Sequence, residues 1–161
     1  MLRVEVLAFG KLRGPGLRDA ADHYLKLARK FIQLSEVELK PIPVPDKSEA
    51  TRHNIQLREQ ELLEGRLAPR SCLYLLDEGG KNLGTQAWAD LLKKLSTDGL
   101  ATVHLALGSS LGFSPGLKKK ARGVLSLGAQ TLPHELARVV LFEQLFRASS
   151  LNAGHPYHVE G

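Results

Sequence analysis

The chain has 161 residues, 43% of them hydrophobic and 24% charged, with a formal net charge of +5. That length and apolar content fit one domain spanning residues 1–161 with a real core, and exclude a disordered chain. No apolar run reaches the roughly 18 residues that a membrane helix needs, and the start carries no secretory pattern, so a cytoplasmic protein without membrane association is expected.

Residues 2–9 read as a strand ended by Gly10. Residues 17–31 carry Leu17, Ala20, Ala21, Tyr24, Ala28 and Phe31 at helical spacing. Residues 34–40 alternate apolar and charged side chains, which predicts a strand near a sheet edge with one wet face. Prolines 41, 43 and 45 stop it. Ser48 is placed to cap a charged helix running to Glu64 and ended by Gly65.

The second half is more apolar. Residues 72–76 and 101–107 form near-continuous apolar runs, as strands covered on both faces do. Between them, Thr85 is placed to cap a helix with Ala87, Trp88, Leu91, Leu92 and Leu95 on one face. Ser114 and Pro115 make a helix start. Residues 123–127 read as a short last strand, and Pro133 opens a final helix to Leu151, stopped by Asn152 and Gly154. Strand and helix thus alternate about five times, which predicts an α/β fold with a mostly parallel sheet flanked by helices. The last helix is apolar on more than one stripe, which predicts burial on two sides. One side can face its own sheet and the other a second subunit, so a homodimer is the expectation, with a larger monomer core the alternative.

The candidate chemistry lies at strand ends. Leu76, Gly108-Ser109-Ser110-Leu111-Gly112 and residues 127–132 each follow an apolar strand. Ligands of open α/β sheets bind beyond the carboxyl ends of strands, where glycines let them approach the backbone. Three such ends would make one pocket for a nucleotide-like ligand. The earlier loop Gly10-Lys11-Leu12-Arg13-Gly14-Pro15-Gly16 lacks both dinucleotide and Walker spacing and reads as a flexible turn, with Lys11 and Arg13 free to touch a polyanion.

Other features have ordinary explanations. For Arg138 and Arg147 the ordinary reading is a local ion pair, with Glu135 and Glu143 at helical spacing; a functional role is the alternative. The run Lys118-Lys119-Lys120-Ala121-Arg122 is a solvated basic face or a phosphate contact. His104 lies in an apolar run and reads as a satisfied core histidine. Cys72 reads as a small buried hydrophobe, and a single cysteine excludes a disulfide within the chain. His155 and His158 form an H-x-x-H tail with no cysteine partner and few third ligands, so no metal site is expected. Tyr157 between them could stack on a base. The basic balance favours an anionic partner, nucleic acid first.

Thr131-Leu132-Pro133-His134, the helix carrying Arg138 and Glu143-Gln144-Leu145-Phe146-Arg147, and the tail His155-Pro156-Tyr157-His158 resemble the ribosomal RNA large subunit methyltransferase H family of the SPOUT superfamily. Leu76-Asp77-Glu78-Gly79-Gly80-Lys81 also fits. The resemblance implies a C-terminal trefoil knot and a homodimer. It implies S-adenosylmethionine as cofactor and methylation at N3 of a pseudouridine in 23S rRNA of the assembled ribosome. By position, Leu76, Gly108, Leu127, Gly128, Ala129, Gln130, Thr131 and Leu132 would hold the cofactor. Arg147, His155, Tyr157 and His158 would serve the substrate, the tail acting across the dimer. The imide nitrogen must lose a proton, and general acid–base chemistry, not the resemblance, makes His155 and His158 the candidate bases. The family's first loop usually reads Gly-Gly-x-x-Gly. Ser109 stands here for a glycine, so its φ must be negative or strained, and Leu111 stands where some relatives have an acidic residue. A SPOUT methyltransferase with another RNA target and a non-catalytic RNA- or ribosome-binding protein are the alternatives. A regulatory protein binding ATP or GTP through the Gly10–Gly16 loop is a further one.

Overall fold

A computed structural model describes residues 1–157; His158 and the three residues after it lie outside the described residues. Ten elements alternate along the chain. They are β1 (Arg3–Phe9), α1 (Leu17–Ala28), β2 (Gln33–Leu39), α2 (Glu49–Glu64), β3 (Ser71–Asn82), α3 (Thr85–Thr97), β4 (Thr102–Leu107), α4 (Pro115–Lys120), β5 (Gly123–Ser126) and α5 (His134–Asn152). All five strands join one sheet in the order β2-β1-β4-β3-β5, and every pair is parallel. The α/β expectation holds, and β2 is the edge strand that its alternation predicted.

The two faces of the sheet follow from the two-residue period of a strand. Val4, Val6 and Ala8 of β1, Tyr74 and Leu76 of β3, and Val103, Leu105 and Leu107 of β4 face one core, which α1, α3 and α5 cover. Leu7, Phe9, Leu73, Leu75 and Ala106 face the other, which Leu63 of α2 and Leu117 of α4 close. β4 is buried along its whole length, as its unbroken apolar run required.

Three boundaries and one burial differ from the sequence reading. α1 stops at Ala28, because residues 30 and 31 tighten into three-residue turns on Leu27 and Ala28. Gly84 rather than Thr85 caps α3, and the Thr85 hydroxyl donates instead to Gln144 Oε1 of α5 at 3.0 Å. Cys72 is half-buried rather than fully buried, and partial burial still pushes its thiol pKa up. The largest difference is β3, which does not end at Leu76. It leaves the ladder for residues 77–80 and then returns, so that Leu76 and Lys81 both pair with Leu125. Gly80 makes this return possible. A Cβ there would stand 2.7–2.8 Å from the Leu125 and Val124 backbone.

α5 is buried on two sides, as expected, and its own chain accounts for both. Val139, Leu141, Phe142, Leu145 and Phe146 join the core shared with α1 and α3. Its burial therefore carries no argument for a second subunit.

Candidate active site at the carboxyl ends of three strands

The ends of β3, β4 and β5 open into one pocket of about 460 Å³. Leu76, where β3 leaves the ladder, and Leu107 and Leu127, where β4 and β5 finish, supply apolar walls, and Leu132 adds another from the loop before α5. The loop after β4 contributes Gly108 to Gly112, and the loop after β5 contributes Gly128, Gln130 and Thr131. Every expected pocket residue lines it except Ala129, which is exposed beside it. The sequence reading did not include Asp77, Glu78, Arg52 or His134, which also line the pocket. The two acidic residues became pocket residues because β3 runs on past Leu76.

The loops are held by specific contacts. Glu78 Oε2 accepts from the Thr131 hydroxyl at 2.6 Å, tying the β3 excursion to the loop after β5. Ser126 Oγ donates to the Gly128 carbonyl at 2.7 Å. Gly128 adopts φ +148°, a conformation side chains disfavour, and nothing lies within 4 Å of where its Cβ would stand. Its backbone is thus open to a ligand. Gly112 ends the other loop at φ +72°, whereas Ser109 stays out of the left-handed region. The serine that replaces a glycine there carries no backbone strain. Gly108 lies against Phe113, whose ring would be 3.2–3.6 Å from an added Cβ.

The early glycine loop is closed to a phosphate. Glu135 Oε1 accepts from the backbone N–H groups of Arg13 and Gly14, and these bonds lower its pKa. An anion from the protein itself thus occupies the backbone donors a nucleotide would need. This contact also corrects the Arg138 pairing. Arg138 is only 1% exposed. It donates to Glu38 Oε2 at 2.8 Å, Glu36 Oε2 at 3.2 Å, and the Phe9 and Gly10 carbonyls at 3.4 and 3.0 Å. Glu135 is not its partner.

Arg147 does pair with Glu143, at 2.6 Å. Its guanidinium carbon also lies 4.8 Å from the centroid of the Tyr157 ring, whose hydroxyl donates to Glu143 Oε1 at 3.3 Å. Burial raises the Tyr157 pKa above the usual phenol value, so the hydroxyl stays protonated near neutrality. His155 packs edge-on against Phe31, with ring centroids 5.6 Å apart. Arg147 of α5 and His155 and Tyr157 just beyond it therefore form one cluster around Phe31 and Phe146, and none of the three lines the pocket of their own chain. His158 lies outside the described residues.

The basic run is more paired than its composition suggested. Lys118 approaches Asp77 at 3.7 Å, Lys120 approaches Glu64 at 3.4 Å, and Arg122 binds Asp98 at 2.8 Å. His104 is a core histidine, as expected, but only half satisfied: its Nε2 accepts from the Ala68 N–H at 3.1 Å, whereas its Nδ1 lies 3.2 Å from Glu5 Oε1 without an aligned hydrogen bond. Among the described residues no group of three or more His, Cys, Asp or Glu side chains could hold a metal ion. No helix of the described residues is long and apolar enough to cross a membrane.

A parallel sheet between helices, with a pocket beyond the strand ends, defines an open-sheet α/β protein, and comparison with known proteins narrows the class. Residues 2–158 match the family described as predicted SPOUT methyltransferase, and the chain belongs to that family. Proteins named ribosomal RNA large subunit methyltransferase H are similar along nearly their whole length. Those of Solidesulfovibrio magneticus and Rhizobium meliloti are each 37% identical, and that of Oenococcus oeni is 34% identical, each match covering 98% of this chain and 99% of the relative. A crystal structure of a probable methyltransferase from Bordetella pertussis Tohama I superposes with a TM-score of 0.56 at 16% identity. It covers 92% of this chain and 95% of that one, and shares the fold. Membership implies a methyl donor.

Proposed function

We propose that this protein transfers a methyl group from S-adenosylmethionine to N3 of a pseudouridine in 23S rRNA of the assembled ribosome, working as a homodimer in the cytoplasm. The observation that carries this reading is the convergence of three strand-end loops on one pocket, with seven of the eight expected cofactor residues lining it. The names of the full-length relatives support the substrate class.

The pocket suits such a donor. Its volume falls within the roughly 300–1,000 Å³ typical of small-molecule sites. Apolar leucine walls suit a flat base, the open Gly128 backbone suits its polar edge, and Asp77, Glu78 and Arg52 suit a zwitterionic tail beside a positive sulfur. When bound, S-adenosylmethionine supplies an electrophilic methyl group on a sulfonium. The protein's task is to hold the nitrogen in line, keep water out and receive the proton that the imide loses. Positioning of this kind can remove about 7–11 kcal/mol from a barrier. In this reading Arg147 and Tyr157 orient the substrate, and His155 or His158 takes the proton. Their cluster stands apart from the pocket of its own chain, which favours a tail reaching the pocket of a second copy.

Titration with S-adenosylhomocysteine tests the pocket. Gly108→Val forces a side chain against Phe113 and should weaken binding by more than about tenfold, with circular dichroism checking that the fold survives. Undiminished binding in a folded variant rejects the assignment. Mass spectrometry of rRNA from cells with and without the active protein tests the target: loss of a methylpseudouridine supports it, and loss of a different methylated nucleotide redirects it.

A further inference from the structure

Ser109 breaks the family's usual glycine pattern, and the structure shows what its hydroxyl does. Ser109 Oγ donates to Glu59 Oε1 of α2 at 2.9 Å and accepts from the Leu111 N–H at 3.3 Å. The same helix grips the next carbonyl. Arg52 and Gln56 both donate to the Leu111 oxygen, at 3.1 and 2.8 Å. One turn further on, Gln60 Oε1 accepts from the hydroxyl of Ser114, the cap of α4, at 2.6 Å. Arg52, Gln56, Glu59 and Gln60 lie on the α2 face turned toward this loop, and Glu59 is only 5% exposed. A buried carboxyl needs a hydrogen-bond partner. Ser109 is that partner, and it belongs to the loop that forms a pocket wall.

We propose that Glu59 is a positioning residue for the methyl-donor loop: through Ser109 it locks residues 108–112 in their binding shape before the donor arrives. The proposal rests on the pocket being the donor site. Glu59 itself does not line the pocket; it acts through the serine, and α2 serves as a latch on the loop. Pre-ordering lowers the entropic cost of binding, so the latch governs donor affinity more than turnover.

Two arms test this. In the first, donor KM, kcat and S-adenosylhomocysteine affinity are measured for Ser109→Ala, Glu59→Leu, Ser109→Thr and the Ser109→Ala/Glu59→Leu double variant; leucine removes the acceptor that glutamine would keep. Loss of this hydrogen bond should raise the dissociation constant and donor KM about five- to tenfold in Ser109→Ala. Turnover at saturating donor should stay near wild type, and Ser109→Thr, which keeps the hydroxyl, should restore affinity. The double variant should be no worse than the poorer single one, because both substitutions cut one contact. Unchanged affinity in Ser109→Ala and Glu59→Leu, with wild type binding normally, overturns the latch. In the second arm, amide hydrogen exchange of residues 108–114 is followed without ligand. Faster exchange at Leu111 and Gly112 in Glu59→Leu, which leaves the serine hydroxyl in place, supports the latch, and identical exchange overturns it. This arm decides the matter even if wild type binds no S-adenosylhomocysteine, a result that would refute the donor site alone.

Discussion

His104 sits in the middle of the sheet with its ring 1% exposed, between the Ala68 amide and the Glu5 carboxylate, with Arg66 beyond at 3.5 Å from Glu5. Burial is the largest influence on it and lowers its pKa below the ordinary value of 6.5, against the pull of Glu5. A histidine with a depressed folded pKa binds fewer protons folded than unfolded. Its contribution to stability is therefore intact above the unfolded pKa and declines as the pH falls from there toward the folded one. Urea unfolding at pH 7.5 and pH 5.5 should show a smaller acid loss for His104→Gln than for wild type, at a cost of about 1–3 kcal/mol at the higher pH from the imperfect amide contact. Equal acid losses would remove His104 from the account. Arg138 poses a sharper case. It holds two carboxylates and two carbonyls from inside the protein. Arg138→Met should cost about 1–3 kcal/mol in chemical denaturation, because the Phe9 and Gly10 carbonyls lose their donor while Arg18 still pairs with Glu36 at 2.6 Å and Glu38 at 3.4 Å. The sequence could not reveal this partner set: Glu36 lies 102 residues away, and the nearby Glu135 offered the simpler pairing. A long-range polar contact leaves no periodic trace.

At the scale of elements, apolar runs and helix caps made most of the fold legible. The unbroken run of β4 announced a buried strand, and the alternation of β2 announced an edge. Ser114 and Pro115 marked α4, and Ser48 marked α2; both serines accept from the backbone N–H three residues on. What escaped was the far half of β3. Asp77-Glu78-Gly79-Gly80 has the composition of a turn, and here it is an excursion that rejoins the same neighbour. Two acidic pocket residues escaped with it. The close approach at Gly80 makes a direct prediction. Gly80→Ala places a methyl within 3 Å of the β5 backbone, so it should destabilise the protein by more than about 2 kcal/mol and weaken donor binding with it. A melting temperature equal to wild type would mean that β5 can yield. The α2 latch was likewise invisible, since Glu59 and Ser109 lie 50 residues apart and α2 reads simply as a charged helix.

For the whole molecule, the separation between pocket and tail cluster has a measurable meaning. A chain with Gly108→Val keeps its tail but lacks a competent pocket, and a chain truncated after Gly154 keeps its pocket but lacks the tail. Mixed and allowed to exchange subunits, the two inactive proteins should regain about a quarter of wild-type methylation if tails act between copies. Half of the dimers would then be mixed, each with one complete site. No recovery, with mixed dimers confirmed by native mass spectrometry, would place the tail's work within its own chain.

The order of the strands also bears on how the chain comes into being. β1 precedes the other strands, yet one of its two neighbours is β4, with Val4 against Val103. Until β4 has been synthesised, one flank of that apolar strand has nothing to pair with, and α5, which closes the face above it, is made after all five strands. Contacts between distant parts of a chain slow folding and lengthen exposure. Nascent chains halted before β4 should therefore be cut readily by protease, and protection should arrive abruptly only once residues 134–152 have cleared the exit tunnel.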